Sequence, residues 1–284
     1  MKLQHSEPTD CNPPQRVFLL SSPRAGSTLV SRVLNSHSAI SSPCEICIPF
    51  VVTSSWKFIK SLTTIAKISR YYGAALPKPR LLLGTRRAAR RHFDGLTENI
   101  LRQEGKRTLV VKDPRHAAHV EKLEALYADQ PPKYILLHRD ARAVCHSFTS
   151  TLGRKPERGF RAWLQCTEGM LVCQRRCPER CLSIRFEDFV ADSAAAALQL
   201  TSFIGHEFES AMLEYGKHNH ADDRLGLWSN PKLVSSVKRG TIETPRKPSW
   251  TENAEMLTMY AELPDVQAVN RQVGYDQTEA KQAA

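Results

Sequence analysis

The sequence predicts an α/β fold in which a parallel central sheet is flanked by helices and carries a helical insert. Short apolar runs at Arg16–Ser22, Leu109–Val111 and Tyr134–Leu137, and the alternating Cys181–Phe186, read as strands. Segments of helical period separate them, and Pro, Gly and capping residues mark the joins. Strands alternating with helices of this length favour a mostly parallel sheet covered on both faces. In order, the first strand closes at Pro23 and Gly26, and Leu29, Val30, Val33 and Leu34 then recur at helical spacing. Lys112-Asp113-Pro114 follows the second strand. His138-Arg139-Asp140 follows the third, and Asp140 is placed to cap a helix running through Val144 and Phe148. Pro178 ends a helix that carries Cys166, Cys173 and Cys177 on one stripe. After the fourth strand, Asp192 is placed to cap the Ala-rich helix Ser193–Ile204, and two further helices are expected near Asn253–Ala261 and Pro264–Val273.

The chain has 284 residues, 41% of them hydrophobic and 24% charged, which excludes a disordered chain. One domain over residues 1–284 accommodates this length. Flexible ends are expected at 1–15 and 277–284. Residues 50–106 show amphipathic helical pattern and no clear strand, so they read as a helical insert packed over one end of the sheet. No membrane span is expected, because Lys57, Lys60 and Lys67 interrupt the most apolar candidate, Phe50–Ile68. The polar, Pro-containing first fifteen residues resemble no leader peptide, which points to the cytoplasm. There the eight cysteines are expected as reduced thiols. Two clusters bear on metal, Cys44-x-x-Cys47 and the crowded Cys166, Cys173, Cys177 and Cys181, but no metal site is expected, since a structural zinc site would show paired CxxC or CxxC with HxxxH and only one such pair exists.

Forty Lys and Arg against 29 Asp and Glu leave a net charge of +11. That charge suits an anionic ligand, and an acidic acceptor in addition, through steering. Nucleic acid is not expected, because no aromatic platform or recognition module accompanies the charge. The segment Ser21-Ser-Pro-Arg-Ala-Gly-Ser-Thr28 lies between strand and helix, where backbone N–H groups and a helix N-terminus favour an anion. Aligned with the triphosphate loop G-x-x-x-x-G-K-[ST], it has Ser21 at the first Gly and Ser27 at the Lys. The cation lies instead at Arg24.

Two segments carry a family resemblance. Pro23-Arg-Ala-Gly-Ser-Thr-Leu29 resembles the 5′-phosphosulfate loop of sulfotransferases that use 3′-phosphoadenosine-5′-phosphosulfate (PAPS). Tyr134-Ile-Leu-Leu-His-Arg-Asp-Ala-Arg-Ala-Val-Cys-His-Ser147 is similar to their 3′-phosphate signature, an Arg followed by a Ser eight residues on, here Arg139 and Ser147. The flavour is nearest the tyrosylprotein, carbohydrate and related bacterial members. The resemblance implies the family's phosphate-loop fold and PAPS as co-substrate with no metal. It implies sulfuryl transfer to an acceptor hydroxyl on a tyrosine, carbohydrate or small molecule. It also implies that Arg24, Ala25, Gly26, Ser27 and Thr28 hold the 5′ end, with Arg24 and Lys112 stabilising the leaving group and Glu45 acting as base. Ser235 and Lys238, in a basic loop over Asn230–Pro248, would close over the cofactor. His116 and His138 stand as other candidate bases. Two departures mark the chain: Phe186 stands where the tyrosylprotein enzymes carry Tyr, and Thr151 stands where they carry Arg. A phosphate-loop nucleotide kinase or triphosphatase, and a non-catalytic nucleotide-binding homologue, are the alternative readings.

Overall fold

The computed structural model describes residues 15–48, 55–77, 86–221, 223, 242 and 249–276. Its centre is a five-stranded parallel sheet. The strands are β1 (Gln15–Ser21), β2 (Ile40–Ser41), β3 (Thr108–Lys112), β4 (Lys133–His138) and β5 (Cys181–Arg185), in the order β2-β3-β1-β4-β5. β1 is central, and the chain runs outward from it in both directions, so the crevice at its C-terminal end is where such sheets take ligands.

The near-continuous apolar runs of β1, β3 and β4 follow from burial on both faces. Val17, Leu19, Val110, Ile135 and Leu137 enter one core, while Phe18, Leu20, Leu109, Val111, Tyr134 and Leu136 enter the other. The first core is covered by α1 (Ser27–Asn35), α5 (Ala141–Leu152), α8 (Ser193–Ile204), α9 (Ala254–Ala261) and α10 (Pro264–Gln272). Covering the second are α2 (Ser55–Tyr71), α3 (Arg86–Glu104) and α4 (Val120–Leu126). The long helix α6 (Pro156–Arg176) contributes Phe160 and Trp163 to the first core, and Cys166, Met170 and Cys173 to the second.

The insert's described residues include two long helices, α2 and α3. Ile65, Ile68, Phe93, Leu96 and Ile100 pack into the core beneath one face, alongside Phe18 and Val111. The apolar stripes of α2 and α3 are wide enough to need a whole face for burial. Asp140 and Asp192 cap α5 and α8 as expected, accepting from the N–H of Arg142 at 2.8 Å and of Ala195 at 2.9 Å. α7 (Phe186–Ala191) begins one residue after β5 and sends Phe186 back towards the β1–α1 turn.

That turn depends on Gly26, whose φ is +94°. A Cβ there would lie 2.2 Å from the Phe186 ring. Gly26→Ala therefore carries a left-handed backbone penalty of about 1–3 kcal/mol and a clash besides. Its denaturation midpoint should fall, and the same change made in a Phe186→Ala background should cost measurably less. Equal costs in the two backgrounds would refute the contact.

Burial also pushes the imidazoles of His116 and His138 down to about 4, so both are neutral in the folded protein. The unfolded chain binds protons on them from about pH 6.5 downward. Their contribution to stability is thus complete above that pH and shrinks as pH falls towards 4. Unfolding free energies from urea titrations should decline between pH 7 and 5 by up to about 1.4 kcal/mol per pH unit per histidine, and a flat profile would refute this.

Candidate functional site

Three neighbouring strands deliver a cation each to the crevice at the C-terminal edge of the sheet. Arg24 lies in the turn after β1, Lys112 ends β3, and Arg139 follows β4. The turn itself is tight: Ala25 N–H donates to the Ser22 carbonyl at 3.3 Å, and Arg24 adopts φ 70°. Gly26 caps α1 without a side chain, and no acidic residue occupies the helix's first turn. Leu29 N–H donates to the Gly26 carbonyl at 2.9 Å, which leaves the amides of Ser27 and Thr28 at the open, positive end of the helix dipole.

Arg24 and Arg139 share one crevice. Arg139 Nη1 donates to the Arg24 carbonyl at 2.9 Å. Arg24 Nε donates to Ser147 Oγ at 3.1 Å, and its Nη2 to Thr151 Oγ1 at 3.4 Å. Arg139 stacks on Phe186, its guanidinium carbon 4.5 Å from the ring centre, and its carbonyl accepts from Trp163 Nε1 at 2.8 Å. Its Nε is buried without a hydrogen-bond partner among the described residues, 3.9 Å from Glu187 Oε1. Burial pulls both guanidinium groups below their usual range, and the Arg139 charge pulls Arg24 further. An orphaned N–H beside a second cation and a helix N-terminus fits a ligand with several anionic oxygens.

On the other flank of the turn, Lys112 is buried and reaches two oxygens. Its Nζ donates to Thr28 Oγ1 at 3.0 Å and pairs with Glu45 Oε1 at 3.0 Å. The Glu45 side chain is half exposed, so one side of its carboxylate faces solvent. Its backbone is fixed by neighbours. Ile46 N–H donates to the Lys112 carbonyl at 3.1 Å, and Ile48 N–H to His116 Nε2 at 3.0 Å. Ser42 N–H donates to Asn35 Oδ1 at 2.8 Å, tying the segment to α1.

The two outer cations are held by the same local device. After Lys112, Asp113 Oδ1 accepts from Arg115 N–H at 2.9 Å and Nε at 2.8 Å, while Oδ2 takes Nη2 at 2.5 Å. After Arg139, Asp140 Oδ1 accepts from Arg142 N–H at 2.8 Å and Nε at 3.0 Å, while Oδ2 takes Nη2 at 2.6 Å. Burial opposes the charge on Asp113, yet the bond and charge of Arg115 bring its carboxyl below the usual range. The second clamp continues into the C-terminal helices. Arg142 pairs with Asp276 at 2.5 Å and lies 4.2 Å over the Trp250 ring, and Ala141 N–H donates to Asn270 Oδ1 at 3.0 Å.

Of the residues singled out from the sequence, Arg24, Ala25, Gly26, Ser27, Thr28, Glu45, Lys112, Arg139 and Ser147 lie around this one crevice. Ser235 and Lys238 fall outside the described residues. His116 is fully buried and engaged by the Ile48 amide. His138 is buried as well, so neither imidazole is open to solvent. Phe186, Thr151 and Glu187 join the crevice in addition. The first two were visible in the sequence only as departures from a pattern, and Glu187 gave no signal.

Among the described residues, no helix is long and apolar enough to cross a membrane. The model of the sulfotransferase family matches residues 14–210. A Caenorhabditis briggsae protein assigned by name as a protein-tyrosine sulfotransferase is 25% identical over 179 residues, covering 60% of this chain and 61% of that protein. The chain thus spans about three-fifths of that relative's length. The sulfotransferase domain of the Synechococcus olefin synthase superposes with a TM-score of 0.68 at 22% identity, over 96% of this chain and 99% of that domain. A mouse sulfotransferase, SULT7A1, complexed with PAP superposes with a TM-score of 0.50 at 14% identity, over 97% of this chain and 91% of that one. The match of a family model to more than half the chain, on a sheet of the same architecture, makes this protein a member of the sulfotransferase family.

Proposed function

We propose that the chain transfers a sulfuryl group from PAPS to an acceptor hydroxyl, with Glu45 as general base and no metal ion. The observation that carries this reading is the shared crevice of Arg24 and Arg139, joined by the 2.9 Å bond from Arg139 Nη1 to the Arg24 carbonyl. Two guanidinium groups that close suit the two phosphate-bearing ends of one small molecule. The relative named for protein-tyrosine sulfation makes a tyrosyl hydroxyl the first acceptor to test.

PAPS supplies the sulfuryl group and departs as adenosine 3′,5′-bisphosphate. The turn amides of Ala25 and Gly26, with Ser27, Thr28 and Arg24, hold the 5′-phosphosulfate. Arg139 and Ser147 hold the 3′-phosphate. Glu45 takes the acceptor's proton as its oxygen attacks sulfur. A new O–S bond forms while the bond from sulfur to the bridging oxygen breaks, and negative charge grows on that oxygen. Lys112 and Arg24 stabilise this charge. Lys112 already bonds Glu45 and Thr28, so it links the base to the 5′-phosphate loop at fixed distances.

A nucleotide kinase or triphosphatase is disfavoured by the family match and by Ser27 at the position of the triphosphate-binding Lys. Transfer of radiolabelled sulfate from PAPS to tyrosine peptides, sugars and small phenols, in the presence of a chelator, tests the reading. Hydrolysis of ATP that requires magnesium, without any sulfate transfer, would refute it.

Glu45→Gln should lower kcat by about 10²-fold or more while binding of adenosine 3′,5′-bisphosphate, measured by calorimetry, is retained. Arg139→Ala removes charge-assisted bonds worth about 1.5–3 kcal/mol. It should therefore weaken that binding by about 10- to 100-fold. Loss of bisphosphate binding in the first variant, or unchanged binding in the second, would reverse these assignments.

A further inference from the structure

We propose that Cys173, Cys177 and Cys181 form a three-thiolate site for a zinc ion at the junction of α6 and β5, away from the sulfotransferase crevice. From the sequence, Cys166, Cys173 and Cys177 share one buried stripe of a helix. The folded chain keeps all three in one buried core. Cys166 Sγ donates to the Pro114 carbonyl, while Cys173 and Cys177 converge with Cys181 from the following strand.

The three sulfurs form a nearly equilateral triangle. Cys173 and Cys177 are 3.9 Å apart, Cys177 and Cys181 are 3.9 Å apart, and Cys173 and Cys181 are 3.6 Å apart. Zinc binds thiolate sulfur at about 2.3 Å with tetrahedral angles, which places bound sulfurs about 3.8 Å from one another. The triangle therefore already has the dimensions of one face of a tetrahedral site. Its fourth vertex is left to a water molecule or an external donor. Among the described residues this is the only such trio of metal-ligating side chains.

Interactions independent of the sulfurs hold this geometry. α6 ends with the Cys177 N–H donating to the Cys173 carbonyl at 3.0 Å, which sets two thiols one helical turn apart. A 3₁₀ turn, Pro178–Arg180, then folds the chain so that Cys181 opens β5. Arg180 fixes that turn. Its Nη1 and Nη2 donate to Glu124 at 2.9 and 2.6 Å, and Nη1 also reaches the Pro132 carbonyl at 2.9 Å. A site whose ligands are positioned by the fold loses little conformational freedom when it takes an ion. Cys173 and Cys177 are buried, whereas Cys181 is half buried, so the edge of β5 provides the entry path. Binding converts thiols to thiolates and releases their protons, so affinity must rise with pH.

Zinc titration of the reduced, metal-stripped full chain against a chromophoric chelator tests the site. One equivalent should bind, more tightly at pH 8 than at pH 6. Cobalt substituted for zinc should give the near-ultraviolet absorption of thiolate charge transfer. Cys181→Ser, at the most exposed of the three positions, should weaken zinc binding by at least about 100-fold with an unchanged circular dichroism spectrum, and Cys177→Ser should do the same. Cys166→Ser should leave zinc binding as it was. No retained zinc in the wild-type chain would overturn the proposal. So would equal retention in the Cys177 and Cys181 variants, or a disulfide between two of these cysteines in place of metal binding under reducing conditions.

Discussion

Two positive charges held side by side are the constraint on which the site depends. Arg24 and Arg139 repel each other, and each has given up water to occupy the crevice. Only part of that cost is offset locally, through Ser147, Thr151 and the face of Phe186. Glu187 stands 3.9 Å from Arg139 and compensates weakly at that distance. A dianionic ligand would relieve the repulsion of both guanidinium groups together. The free protein thus stores electrostatic strain that ligand binding releases, and the strength of binding and the instability of the empty crevice have the same origin.

Such an arrangement needs rigid supports. The repeated Asp-x-Arg clamp supplies them at the ends of β3 and β4, where the aspartate both caps the next helical turn and grips the arginine that follows. Each clamp neutralises its own charges and leaves the preceding residue, Lys112 or Arg139, to face the crevice. Glu45 is supported in another way, by three pieces of backbone that meet around an exposed carboxylate. In the proposed reaction these groups would therefore be set before any substrate arrives, the condition under which fixed charges lower a barrier most.

Much of this could be read from the chain itself. Apolar runs marked β1, β3 and β4, because burial on both faces leaves no polar position to confuse the pattern, while β5, at the edge of the sheet, showed itself by alternation. The two residues of β2, Ile40 and Ser41, are too few to show any period. Asp140 and Asp192 announced their helices, since capping chemistry is local. The place of the insert was not legible: the apolar stripes of α2 and α3 declare that one side is buried, and nothing in them says against which surface. Phe186 illustrates a second limit. Its contact with Gly26 joins residues 160 positions apart, and only the folded chain reveals that the missing side chain of one makes room for the ring of the other. The crowding of Cys173, Cys177 and Cys181 was visible in the chain, but the meeting of their sulfurs was not, because Cys181 comes from a different element.

The stretch matched to the family ends at residue 210, yet the clasp on the start of α5 comes from beyond it. Asn270 receives the Ala141 amide, Asp276 receives Arg142, and Trp250 lies against the same guanidinium. A shortened protein cut at the homology boundary would keep every signature residue and lose the buttress that orients Arg139. Excising or grafting this module as a portable unit therefore means carrying its last two helices along.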